Sequence, residues 1–163
     1  MADNHTFDIE STADLSEIDN AINMAMKEIL TRFDFKGSIS KIVRSDKKIE
    51  ILADDDMKLK NVKDILETKL AKRNISIRFL DYQKEEHALG GNVKQAVLIK
   101  QGLSKEKAKE ITTFVKESKL KVNTQIMDDK IRVSSPKIDT LQETMGLLKN
   151  KDLGIVLQFK NFR

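Results

Sequence analysis

The 163-residue sequence predicts an α+β protein made of two tandem βαββαβ units. Three observations carry this reading. Lys48-Ile49-Glu50-Ile51 returns 82 positions later as Lys130-Ile131-Arg132-Val133. At the same offset Leu59, Ile65 and Leu66 meet Leu141, Leu147 and Leu148, so the helix after that strand repeats as well. In both halves the apolar spacing switches in the same order between period 2 and spacings of 3 and 4.

Taken in order, Phe7 to Ser11 alternates as a strand. Leu15, Ile18, Ile22, Ala25 and Ile29 then form an amphipathic stripe, with Asp14 and Glu17 placed as a capping box. Ile39–Arg44 and Lys48–Ala53 form a hairpin across Ser45-Asp46-Lys47. Asp54-Asp55-Asp56 caps a helix whose inward face is Leu59, Val62, Ile65, Leu66 and Leu70. Ile75, Ile77 and Phe79 alternate as a closing strand, and Asp81 to Asn92, ending Gly-Gly-Asn, is expected to be a linker.

The second unit opens with a strand from Val93 to Gln101. Gly102 turns the chain, and Ser104 caps a helix carrying Ala108, Ile111, Phe114 and Val115. Lys121–Ile126 and Lys130–Ser134 form a hairpin across Met127-Asp128-Asp129. Ser135 is expected to cap the next helix with Pro136 at its first position. Ile138, Leu141, Met145 and Leu148 are its buried stripe, and Ile155 to Phe162 is the last strand. Each unit thus has the split-βαβ, ferredoxin-like order: four antiparallel strands, both helices on one face, the other face open. The expected domains are residues 1–92, with a linker from about 81, and residues 93–163.

Composition limits the function classes. Charged residues make up 34% and hydrophobic ones 39%, the balance of a solvated globular protein. Cysteine is absent, which excludes disulfides and thiolate metal sites. No apolar run reaches the roughly 20 residues of a membrane span. The polar, acidic opening is unlike a signal peptide, so a cytoplasmic location is expected. Residues 1–92 hold 15 basic and 18 acidic side chains, net −3, while residues 93–163 hold 15 and 8, net +7. An anionic ligand is therefore expected on the second unit.

Several stretches resemble the YajQ family of small bacterial nucleotide-binding proteins. They are Phe7-Asp8-Ile9, Arg32-Phe33-Asp34-Phe35-Lys36, Lys100-Gln101-Gly102, Ser118-Lys119-Leu120-Lys121-Val122, Lys130-Ile131-Arg132-Val133 and the closing Leu157-Gln158-Phe159-Lys160-Asn161-Phe162-Arg163. The resemblance spans the whole chain. It implies two ferredoxin-like domains from a duplication, with exchange of a strand between them left open. It also implies non-enzymatic binding of nucleotides, with tRNA, purine nucleotides and cyclic di-GMP as ligands linked to the family.

Candidate site residues come from residue chemistry. Lys121, Asn123 and Gln125 share one face of their hairpin, with Lys130 and Arg132 on the partner strand. Cations there suit phosphates and amides suit base edges. Arg132 is the leading candidate, since a guanidinium pairs bidentately with phosphate or guanine. Lys160, Phe162 and Arg163 interleave aromatic and basic character at the end of the chain, a stacking and phosphate-binding combination. Arg32 and Lys36, beside Phe33 and Phe35 on an expected strand, are further phosphate candidates. The strands equivalent to the RNA-recognition motif lack its aromatics, which disfavours sequence-specific stacking on single-stranded RNA.

No Ser/His/Asp set, phosphate-cradling glycine loop or metalloprotease motif is present, so no enzymatic activity and no cofactor are expected. Asp54-Asp55-Asp56 is expected to cap a helix and not to hold a metal. Glu85-Glu86-His87 and His5 are expected to be solvated. The reading is a non-enzymatic sensor of a purine nucleotide or cyclic dinucleotide that acts through a regulatory protein partner. The alternatives are a tRNA- or ribosome-binding protein using the basic second unit, and a protein-interaction module using exposed strand edges.

Overall fold

The structure, a computed structural model, describes residues 4–163. Met1–Asp3, part of the polar opening noted above, lie outside the described residues. The elements run β1 (His5–Glu10), α1 (Leu15–Thr31), β2 (Lys41–Ser45), β3 (Lys48–Ala53), α2 (Asp56–Lys72), β4 (Leu80–His87), β5 (Val93–Ile99), α3 (Lys105–Glu117), β6 (Asn123–Met127), β7 (Lys130–Ser135), α4 (Ile138–Asn150) and β8 (Gln158–Lys160). The strands form two four-stranded antiparallel sheets, β6-β7-β1-β8 and β2-β3-β5-β4. Each sheet has the strand order of a ferredoxin-like fold. No helix among the described residues is long and apolar enough to cross a membrane.

The chain forms two compact units: a terminal unit ending at Thr12 and resuming at Gln101–Arg163, and an inserted unit, Ala13–Lys100. The contiguous division expected at 92/93 differs from this grouping in two strands. β1 lies beside β7 in the terminal unit, and β5 lies beside β3 in the inserted one. Cross-strand charge gives the physical reason. Asp8 of β1 stands opposite Arg132 of β7, whereas Ala96 of β5 stands opposite Glu50 of β3. Glu50 and Arg132 are equivalent in the repeat. Without the exchange, Asp8 would face Glu50, and like charges directly opposite destabilise a sheet.

Local chemistry explains the helices. Asp14 accepts from the Ser16 and Glu17 amides, Asp55 from Lys58 and Ser104 from Lys107, so three helices start on the side-chain caps their sequences offer. In the terminal unit, alternation in β1 and β7 turns Phe7, Ile9, Ile131 and Val133 toward Ile111 and Val115 of α3 and Leu141 and Leu148 of α4. The four strand residues have no exposed surface. Burying a side chain of this size contributes roughly 1.5–3 kcal/mol. The alternate strand positions are left for the open face.

Among the boundaries that differ from the expectations, four bear on the site. Ile77–Phe79 is a 3-10 turn, and the closing strand lies later, at Leu80–His87, inside the expected linker. Its strongly polar sequence hides it from an apolar-alternation test. Phe33–Phe35 is also a 3-10 turn, so Phe35 is buried at 4% exposure while Phe33 stands out at 88%. α4 begins at Ile138 and not at Pro136, and Ser135 accepts from the Lys137 amide ahead of it. β8 spans only Gln158–Lys160, and it ends there because Asn161 turns to φ +58° immediately after it.

Candidate functional site

The open face of the terminal unit is built by ladder register. Gln125 pairs with Arg132, Arg132 with Asp8 and Asp8 with Lys160, giving one row across all four strands. Asn123, Ser134 and Thr6 form the row beside it, and Lys130 stands opposite Met127. Side chains directly opposite share a face, so Asn123, Gln125, Lys130, Arg132 and Lys160 all come together there.

Asp8 is the hub of this face and the residue the sequence reading missed. Only 1% exposed, it accepts from Arg132 Nε at 3.0 Å and Nη2 at 3.4 Å and from Asn161 Nδ2 at 2.9 Å, with Lys130 Nζ at 3.6 Å. The Arg132 hydrogen bonds hold the Asp8 carboxyl below the usual carboxylate range, against burial, which pushes it up. Asn161 and Lys130 add to the lowering. Arg132, the leading candidate for a phosphate or guanine contact, is thus already engaged by Asp8. Lys160 lies 3.5 Å from Glu10. Three cations on this face meet two carboxylates, leaving it weakly positive.

The second part of the site follows from the last three residues. On a regular strand Phe162 would lie on the same face as Lys160. Asn161 instead takes the left-handed conformation, which Asn tolerates better than most residues. Two steps along β1, Asp8 to Thr6, then match three on the neighbouring strand, Lys160 to Arg163, and pairing resumes with Thr6 and Arg163 exchanging both backbone bonds at 3.0 Å. This bulge turns Phe162 to the helix side. Its ring stacks on Phe7 with centroids 6.0 Å apart at 30° and remains 60% exposed. Strand alternation alone predicts Phe162 beside Lys160 at the open face or its edge, and the turn at Asn161 corrects this.

Phe162 forms one wall of a cleft of about 320 Å³. Ile138, Leu141 and Met145 of α4 form the opposite wall, with Gln142 beside them. His5, Thr6 and Arg163 close its end. An apolar cleft of this size, with an aromatic ring on one wall and an amide beside the other, suits a flat heteroaromatic group. Spacing on α4 gives away the apolar wall in the sequence, but the turn at Asn161 leaves no such pattern.

The remaining candidates lie elsewhere. Lys121 is exposed in the bend before β6, outside the strand. Arg32 and Lys36 belong to the inserted unit. Arg32 is paired with Asp34 at 2.8 Å and Glu28 at 3.4 Å and lies 5.4 Å from the centroid of the Phe35 ring. Lys36 is exposed at the end of the 3-10 turn.

Comparison with known proteins adds a family. The model of the "Nucleotide-binding protein YajQ-like" family matches residues 5–163. A "Nucleotide-binding protein" of Carboxydothermus hydrogenoformans is 53% identical over the full length of both chains. Proteins of the same description from Trichlorobacter lovleyi and Syntrophotalea carbinolica are 56% and 55% identical, each over 97% of this chain and 98% of its own.

Proposed function

The chain belongs to the YajQ-like nucleotide-binding protein family, and from that premise we propose that it binds an anionic purine nucleotide without transforming it. The observation that carries this is the cleft beside Phe162. A purine face stacks on that ring, for which base–aromatic contact contributes about 1–3 kcal/mol. Gln142 reads the base edge, and Arg163 neutralises a phosphate. Cyclic di-GMP, one of the ligands linked to the family, is the leading candidate among purine nucleotides; one of its bases occupies the cleft while the second base and second phosphate lie outside it. In this reading the protein is a cytoplasmic sensor that passes occupancy to a protein partner.

A second reading has separate support. The open sheet face carries Asn123, Gln125, Lys130 and Lys160, and Lys121 is exposed at its margin. A flat polar face of this kind suits the backbone of tRNA or ribosomal RNA.

Calorimetric titration with cyclic di-GMP, GTP, ATP and bulk tRNA at about 50 and 200 mM salt separates the two, because backbone-dominated binding weakens sharply over that range. Guanine-selective saturation that survives the higher salt, and that weakens about 10- to 100-fold in Phe162→Ala, is the expected outcome. Binding of tRNA alone, collapsing with salt and indifferent to Phe162→Ala, overturns the cleft reading in favour of the RNA one.

A further inference from the structure

We propose that Asp56, Glu85 and His87 of the inserted unit form a binding site for a divalent first-row transition ion of the zinc type. This is independent of the nucleotide reading, which rests on the terminal unit. The sequence holds these residues 29 and 31 positions apart and gives them no metal-ligand pattern. The fold brings one oxygen of each carboxylate and one imidazole nitrogen within 4.8 Å of one another.

A β-bulge assembles the cluster. In β4, Tyr82 pairs with Val97 and Glu85 with Gln95, so three steps on β4 match two on β5. Tyr82 faces the helices, donating its hydroxyl to Glu67 of α2 at 2.9 Å. Regular alternation from Tyr82 would send Lys84 and Glu86 to that side. The extra residue instead sends Glu85 and His87 there, toward the start of α2. His87 Nε2 lies 2.8 Å from Asp56 Oδ1, and Glu85 lies 3.7 Å from Lys63 of α2.

A second observation points to a ligand. Gln95, directly opposite Glu85 in the ladder, is 5% exposed. Its Nε2 donates to the Gln83 carbonyl at 2.8 Å, but its Oε1 is buried with no hydrogen-bond partner, alone in this among the described residues. An acceptor left in this state costs on the order of 1–3 kcal/mol. A ligand that brings a donor to this part of the sheet would relieve it.

The donor set selects the ion. Imidazole favours zinc, copper, nickel or cobalt over calcium and magnesium, which prefer all-oxygen sites. Tetrahedral zinc with bonds near 2.0–2.1 Å needs its ligand atoms about 3.4 Å apart, so His87 Nε2 and Asp56 Oδ1, now 2.8 Å apart, open slightly while the widest separation in the cluster closes from at most 4.8 Å. Lys63 must leave Glu85, and the N-terminal end of α2 beside Asp56 opposes positive charge, so affinity in the micromolar range is expected.

The test is calorimetric titration of the full chain with zinc ion alone near neutral pH, together with the visible spectrum on adding cobalt. One zinc per chain is expected, weakened at least about tenfold in His87→Ala and in Glu85→Gln and unchanged in His5→Ala. Zinc should also raise the unfolding temperature of the wild type and not of His87→Ala. Absence of saturable binding overturns the proposal. So does binding that His87→Ala leaves intact, which marks an adventitious ion only.

Discussion

Replacing Asn161 tests whether the end of the chain is set by one left-handed residue and its bond to Asp8. In Asn161→Ala two contributions are lost. A non-glycine residue in the left-handed region costs about 1–2 kcal/mol, a cost Asn partly escapes, so Ala adds about 1. The hydrogen bond from Nδ2 to the Asp8 carboxylate, 2.9 Å long, contributes about 1.5 kcal/mol, the low end for a charged acceptor because Asn161 is exposed. The sum is about 2.5 kcal/mol. Asn161→Gly adopts the conformation freely and loses only the hydrogen bond, about 1.5 kcal/mol. The readout is hydrogen exchange at the Thr6 and Arg163 amides, which bond to each other's carbonyls across this pairing. Protection should fall by about tenfold in the Gly variant and by somewhat under a hundredfold in the Ala variant, at 1.4 kcal/mol per tenfold. Both variants should also loosen Phe162 from Phe7 and weaken ligand binding. The reasoning fails if Ala retains wild-type protection, or if Gly falls as far as Ala.

Two pH predictions follow from the same kind of geometry. Asp8 has a depressed folded pKa, chiefly through Arg132, so its stabilising contribution is present above the unfolded value near 3.9 and is lost as pH falls through the folded one. The gap in urea midpoint between the wild type and Asp8→Asn should be full near neutrality and close in strong acid, and a gap independent of pH contradicts the assignment. Tyr82 is the only tyrosine, and burial, aided by Glu67, pushes its phenol well above the usual value of 10. A raised acid pKa keeps its stabilisation below the unfolded value and loses it as pH climbs through the folded one. Ultraviolet titration should therefore show phenolate only together with alkaline unfolding, and reversible ionisation near 10 in the folded protein would refute this.

Much of the fold was legible because its determinants are local. Alternation in β1 and β7, the helical stripe of α1 and the caps at Asp14, Asp55 and Ser104 depend on neighbours a few residues away, and the repeat shows itself at a fixed offset. The shared face of Asn123, Gln125, Lys130, Arg132 and Lys160 was likewise readable from strand parity and hairpin register. Parity failed at the two bulges. Each inserts a residue that no composition marks, and each turns the following side chains over: Phe162 onto Phe7 in one case, Glu85 and His87 toward Asp56 in the other.

The sequence by itself determined the elements, their order and the two-unit repeat, since these rest on periodicity and capping. Tertiary structure decided which sheet each unit's first strand joins. β1 and β5 both present an apolar face suited to either core, so burial does not choose between them. The choice lies in charges far apart in the chain: Asp8 finds Arg132 and Asn161, while Ala96 lies opposite Glu50. The same closure sets Arg132's partner and Phe162's position, because both depend on a carboxylate more than 120 residues away meeting them across the sheet.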